Sequence, residues 1–396
     1  MALVDYDPYD PEVLEDPYPV YARLRAEAPA YYLEEFDSWF LSRFEDIWQI
    51  NTDFKALSSQ NGTTPGQLLT KDTAVNKSLA SMDAPRHSLH RALISPTFKP
   101  GRVRRLEGEI RRFARTTLEQ AMAQGDELDL LKDYAAQIAI RTVCLIAGLP
   151  ADDLERKLGW VNGVFEREPG HRGTTEAGMR GMRDMYIHFL ELVKQAREAP
   201  EETQGVLNLL LTTDLEGGLS DLDIVHYLTL LLIGGTDTFP KSLSNTLYLL
   251  ERQPDAKAEV RANPELITEA FHETVRYNTP TQMLGRTLAR DVELHGETLR
   301  VGQKVMFLFA SANRDAREFE NPDVYDLHRR PPRILAFGCG PHLCLGMHVA
   351  RLEARIALEE FFGAVADYEV QADRAEWLRT EFVRGFTSLP VKFKRA

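Results

Sequence analysis

The chain has 396 residues, 43% of them hydrophobic, and a formal net charge of −13. The length exceeds the ~100–200 residues of a usual domain without fixing a domain count, and the apolar share is enough for a large core. An acidic balance with no long basic run or aromatic–basic stripe excludes nucleic acid as a partner. Three cysteines, Cys144, Cys339 and Cys344, suit a reducing compartment and not a disulfide framework. Cys144 sits in an apolar helical pattern and is expected to be a packed thiol. No stretch approaches the ~20 apolar residues that span a bilayer. The first residues show neither a positive region nor a hydrophobic signal core. A cytoplasmic protein with no membrane association is expected.

In chain order, the periodicity predicts a helix over Tyr18–Glu27 and strands over Ala30–Leu33 and Trp39–Leu41. A polar, weakly periodic stretch, Leu57–Ser81, follows and reads as a binding loop or lid. In Asp83–Arg91, His87 and Arg91 stand one helical turn apart. Helices are expected over Arg102–Gln124, Leu128–Ala147 and Met179–Ala196, with a second irregular stretch at Gly163–Thr175. Asp221–Leu250 reads as one long helix, yet Gly234-Gly235-Thr236-Asp237-Thr238-Phe239-Pro240 interrupts its centre. Two glycines cost about 1 kcal/mol each relative to alanine, and Pro240 lacks the N–H that would bond the carbonyl of Thr236. A kink with a freed acceptor follows. The helix Pro264–Tyr277 carries Glu273 and Arg276 at i,i+3, a spacing that is common and weak alone. Short strands, Val292–Leu294, Thr298–Val301 and Lys304–Leu308, are separated by turns at His295-Gly296 and Val301-Gly302. A helix over Met347–Phe362 and a strand over Leu389–Phe393 complete the pattern: mainly α with small antiparallel β-sheets, and no internal boundary in residues 1–396.

The most specific segment is Phe337-Gly338-Cys339-Gly340-Pro341-His342-Leu343-Cys344-Leu345-Gly346. One cysteine lies in a glycine-rich turn just before a strong helix. A free thiol titrates near ~8.5, so use as a thiolate ligand needs help. The positive end of the helix beginning near Gly346 and backbone N–H groups aimed at sulfur supply it. An iron would add the largest local charge, and a thiolate pushes electron density onto a haem iron and favours O–O cleavage.

Phe-Gly-x-Gly-x-His-x-Cys-x-Gly resembles the haem-binding signature of the cytochrome P450 superfamily with every fixed position filled. The resemblance runs from about Asp16 to Pro390, and implies a single P450 domain over 1–396 with haem b between the central helix and the Cys344 loop. It makes Cys344 the iron ligand, with Phe337, Gly338 and Gly346 around the cofactor. His87, Arg91, Arg286 and His342 match propionate-binding positions. Asp237-Thr238 resembles the family's acid–alcohol pair, and Gly-Gly-x-Asp-Thr is particularly similar to bacterial terpene hydroxylases of the camphor type. Phe239 and Pro240 depart from the usual pattern and leave the proton path open. Glu273, Arg276 and Arg329 match the salt-bridged scaffold behind the cysteine loop. Substrate contacts are implied at about Gly62–Ser81, Val164–Met182, Leu230–Thr238, Thr281–Leu284 and Gly385–Phe386, with Ile233, Gly234, Thr238, Met283, Leu284 and Phe386 as individual candidates.

The implied activity is monooxygenation of a small-to-medium apolar substrate with O2. No flavin or nicotinamide module fits in the remaining residues, so electrons are expected from a separate protein. Arg351, Arg355, Arg102, Arg104 and Arg105 suggest an acidic [2Fe-2S] ferredoxin as donor. A peroxide-driven peroxygenase and a non-catalytic gas-binding haem protein are the alternatives. Neither would be expected to carry Asp237-Thr238.

Overall fold

A computed structural model describes residues 4–70, 77–168, 171–213, 215 and 218–396. Parts of the two irregular stretches, residues 71–76 and 169–170, lie outside the described residues. Helices dominate, and a large apolar cluster unites them. Its members include Leu228, Leu232, Leu243 and Leu247 of the central helices and Ile356, Ala357 and Phe361 of the C-terminal helix.

The sheets hold twelve strands among the described residues: β1 Ala30–Leu33, β2 Ser38–Leu41, β3 Leu57–Ser58, β4 Glu127–Asp129, β5 Met283–Leu288, β6 Val292–Leu294, β7 Glu297–Leu299, β8 Lys304–Leu308, β9 Val365–Val370, β10 Glu376–Arg379, β11 Arg384–Ser388 and β12 Pro390–Arg395. The largest sheet has the order β1-β2-β8-β5-β3. Its pairs are antiparallel except β2 with β8, which run parallel with Leu41 opposite Phe307. The expected His295-Gly296 turn joins β6 to β7, with both residues at positive φ.

The central helix is two helices. Ser220 caps the first: its Oγ accepts the N–H of Asp223 at 3.1 Å, and the Asp223 carboxylate accepts the Ser220 N–H at 3.1 Å. This reciprocal pair satisfies two orphan donors. The first helix ends at Thr236 and the second begins at Thr238, with Asp237 between them. The interruption falls three residues before Pro240, where the missing proline N–H leaves Thr236 without its usual donor.

Other expected helices are subdivided. Arg102–Gln124 resolves into Pro100–Val103, a 3₁₀ turn at Arg104–Leu106 and Glu107–Ala123. Leu128–Ala147 is corrected more strongly: β4 occupies Glu127–Asp129, and the regular helix starts only at Ala136. Asp129 ends the strand by accepting the N–H groups of Leu131 and Lys132, each at 3.0 Å. Thr298–Val301 shortens to β7, since Val301 and Gly302 lie in the following turn. The Arg86–Ile94 helix carries His87 and Arg91 on adjacent turns, as their spacing requires.

Candidate functional site

Positive φ at Gly338 and Gly340 shapes the cysteine loop. A Cβ on Gly340 would also lie 2.6 Å from the carbonyl oxygen of Asn51, so only glycine fits that approach. The loop closes on itself: Gly338 N donates to Leu335 O at 2.9 Å, Leu343 N to Gly340 O at 3.1 Å, and Cys344 N to Phe337 O at 2.8 Å. Cys344 is exposed, whereas Cys144 and Cys339 are buried. Burial of its surroundings pushes the Cys344 thiol up, while N–H groups of Gly346 and Met347 and the Arg91 charge pull it down. The Cys344 side chain is open to solvent although protein crowds around it. The helix Met347–Ala364 starts immediately behind it, so its first N–H groups point at the sulfur.

A single helix turn connects this loop with the central helices. Arg91 Nη2 donates to Leu343 O at 2.6 Å, and the neighbouring His90 shares a 2.7 Å hydrogen bond with the Tyr227 hydroxyl. Arg86 pairs with Asp223 at 3.3 Å. Arg86 and His90 thus bind the central helix, and Arg91 turns the other way.

Basic groups converge beside the cysteine loop. The His87 and His342 rings lie 4.1 Å apart between centroids, and His87 Nε2 is buried without a hydrogen-bond partner. Burial, with Arg286, His87 and Arg91 adding to it, drives His342 down to about 2. Burial also lowers Arg286 to about 10 against the opposing pull of Asp83 and Cys339. Among the described residues, neither Arg91 nor Arg286 has a carboxylate partner. The Asp83 carboxylate accepts instead from Ser58 Oγ at 2.6 Å and Ser59 N at 2.8 Å. Buried cations need compensation, so this cluster lacks an anion. Two carboxylates of a haem beside an accessible cysteine match that requirement, and the orphaned His87 Nε2 gives one of them a donor. These residues fit the group.

Glu273, Arg276 and Arg329 come together behind the loop. Arg276 grips Glu273 with Nε to Oε2 at 2.8 Å and Nη2 to Oε1 at 2.6 Å, and Arg329 Nε reaches Oε1 at 3.1 Å. Arg276 Nη1 donates to Asn313 O at 2.8 Å, and Asn313 Oδ1 accepts the Leu335 N–H at 2.8 Å. The network therefore ends on the first turn of the cysteine loop.

At the break in the central helices, Asp237 is 4% exposed. Lys241 grips its Oδ1 in a short ion pair, while Oδ2 is buried without a partner. Sequence reasoning did not single out Lys241, because an i,i+4 Asp–Lys pair on a helix is ordinarily a surface feature. Thr238 is half-buried, and its carbonyl accepts from Ser242 Oγ at 2.8 Å. Ile233 and Leu284 are half-buried and Gly234 is exposed, with open space where a Gly234 Cβ would lie. Met283 and Phe386 are instead buried. Met283 is 1% exposed and belongs to the core that contains Tyr6, Phe40 and Leu68. Phe386 is fully buried, its ring 4.0 Å from Trp377 and 5.1 Å from Tyr248 between centroids. Neither side chain is open to solvent.

The basic cluster is also smaller than expected. Arg355 pairs with Glu107 at 2.8 Å and Glu359 at 2.9 Å, and Arg351 lies over the Phe337 ring at 5.6 Å. Arg102, Arg104 and Arg105 are exposed and have no ion-pair partner among the described residues. No helix among the described residues is long and apolar enough to cross a membrane.

A thiol loop at a helix start, with buried cations lacking an anion beside it, defines a haem-thiolate class of protein. A family model described as Cytochrome P450 matches residues 170–394, and the chain belongs to that family of haem-binding monooxygenases. A protein named putative cytochrome P450 123 from Mycobacterium tuberculosis is 36% identical over 389 residues, covering 97% of this chain and 96% of that protein. The crystal structure of CalO2 is similar at a TM-score of 0.88 and 28% identity, with 99% of each chain covered. P450BioI, in complex with an acyl carrier protein ligated to hexadec-9Z-enoic acid, is similar at 0.85 and 28%, covering 97% of this chain and 100% of that one.

Proposed function

We propose that the chain, as one domain over residues 1–396, inserts one oxygen atom of O2 into a C–H bond of a small-to-medium apolar substrate. The other oxygen atom leaves as water, taking up two protons and two electrons, the electrons coming from a separate [2Fe-2S] ferredoxin that a ferredoxin reductase charges from NADH. The observation that carries this reading is the accessible Cys344 thiol, held by two backbone N–H groups beside Arg91, Arg286, His87 and His342. Haem b held by Cys344 supplies the oxygen-activating iron, to which a thiolate donates electron density. Phe337, Gly338 and Gly346 shape the ligand loop, and the four basic residues neutralise the propionates. Thr238 and Asp237 hold and deliver protons where the helix is interrupted. Ile233, Gly234 and Thr238, accessible at or near that break, meet the substrate, together with half-buried Leu284 of β5. Exposed Arg102, Arg104 and Arg105 form the part of the basic surface left free for an acidic donor.

Optical titration of the ferric protein with terpenes, steroids, aromatics, free fatty acids and a carrier-bound acyl chain tests the substrate side. One class should shift the Soret band and then be hydroxylated with reduced ferredoxin faster than with hydrogen peroxide. Faster turnover with peroxide would favour a peroxygenase. A haem-loaded protein with no thiolate-type carbon monoxide spectrum would overturn the assignment of Cys344.

A further inference from the structure

The Asp237–Lys241 pair is unusual in its surroundings. Both residues are almost fully buried, at 4% and 6% exposure. Removing two charges from water is costly, and a pair in that setting is weak support for stability. Its position is more telling. Asp237 is the single residue between two helices, so its carboxylate has no regular helix geometry to hold it. Lys241 provides the hold, donating to Oδ1 and, at 3.5 Å, to the Asp237 carbonyl. The second oxygen, Oδ2, is left without any partner.

Two further contacts fix the lysine itself. Its stem lies along Gly385 on β11: a Cβ there would stand 2.7 Å from Lys241 Cβ and 2.9 Å from both Cγ and Cδ. Its ammonium lies over the Phe165 ring, 5.7 Å from the centroid. Phe165 is the last residue of the helix Leu154–Phe165, and its ring packs 5.8 Å from that of Phe382 on the β10–β11 turn. A cation over an aromatic face is attracted by the ring quadrupole, and more strongly when desolvated.

We propose that Lys241 is a positioning residue for proton transfer: it fixes one oxygen of Asp237 so that the other is free to carry the proton, and Phe165 ties that hold to the end of the Leu154–Phe165 helix. The proposal rests on the reading of Asp237 as the proton-delivering acid. A lysine that merely stabilised the fold would not be expected to alter proton transfer while leaving substrate binding intact.

The test uses the holoprotein with its ferredoxin system and a substrate found by the titration above. Lys241→Met should keep the carbon monoxide spectrum and bind substrate with a Kd within about twofold. Its product formed per NADH should fall about tenfold, less than the ~100-fold that loss of a general acid brings, and its kinetic solvent isotope effect should rise. Phe165→Leu should lower product per NADH by about threefold, in keeping with one cation–π contact, and should raise the isotope effect as well. An infrared difference spectrum gives a readout without turnover. Loss of the ion pair should shift the Asp237 carboxyl stretch in Lys241→Met, and that band should be absent from Lys241→Met/Asp237→Asn.

If Asp237→Asn impairs proton delivery but neither Lys241→Met nor Phe165→Leu does, the proposal fails and the acid stands. If Asp237→Asn itself has no effect, the reading of the acid fails first. Improved coupling in Lys241→Met would also overturn the proposal, by showing that the pair restrains the acid. Should Lys241→Met not take up haem, Phe165→Leu decides the matter through the same coupling and isotope measurements.

Discussion

Thr238 and Asp237 are neighbours in sequence with opposite surroundings. The Thr238 hydroxyl makes no hydrogen bond among the described residues, whereas one Asp237 oxygen is fully engaged by Lys241. A half-buried hydroxyl without a protein partner is free to bond a ligand or water. Thr238→Ala should therefore leave substrate binding within about twofold. It should divert roughly ten times more reducing equivalents to hydrogen peroxide, less than the ~100-fold at which general acid–base effects begin. Measuring peroxide and product per NADH checks this, and unchanged coupling would remove Thr238 from the proton path. These two residues were legible because the glycine pair and Pro240 mark a break in the helix and Asp-Thr within it resembles the family's acid–alcohol pair. The sequence did not show Lys241, since the feature that makes it special, burial against Gly385 and Phe165, comes from chain segments far apart.

Elements meet at another buried carboxyl. Glu353 lies on the Met347–Ala364 helix, which packs against Ala136–Ala147. Burial pushes its carboxyl up to about 8, against a smaller opposing pull from Thr142, and Glu353 Oε1 has no partner. Unfolding returns the group to its ordinary range near ~4.3. Between those values the folded chain holds a proton that the unfolded chain releases, so this contribution is fully present at low pH and is lost as pH rises to about 8. Glu353→Gln should raise the melting temperature by roughly 2–5 °C at about pH 8.5 and by roughly half as much at about pH 6. Thermal unfolding of the holoprotein at both values checks the sign. At this scale the sequence showed where helices lie but not how they begin. Leu128 looked helical from its apolar neighbours, yet pairing with Val391 of β12 makes it a strand residue, and tertiary pairing overrides local pattern.

Across the whole molecule, the Glu273–Arg276–Arg329 network joins the helix Leu266–Tyr277 to the cysteine loop through Asn313 and Leu335. Arg276 is fully buried, and removing one partner of a buried pair costs about 3–5 kcal/mol. Glu273→Ala should consequently yield protein with little haem, checked by the ratio of Soret to protein absorbance. Normal haem loading with slow turnover would show instead that the network acts on chemistry. The motif was readable only through the family resemblance, since an i,i+3 acid–base pair is common alone and Arg329 lies far along the chain. The sheet order was not readable, because short strands of ordinary composition do not announce distant partners. The parallel pairing of β2 with β8 sets Leu41 beside Phe307, about 265 residues further along the chain. A ribosome adding ~5–20 residues per second needs on the order of 13–53 s to cover that interval. During synthesis β2 therefore waits with an open edge while the helices in between take shape. The sheet closes only after β8 has emerged, shortly before Cys344 itself becomes available.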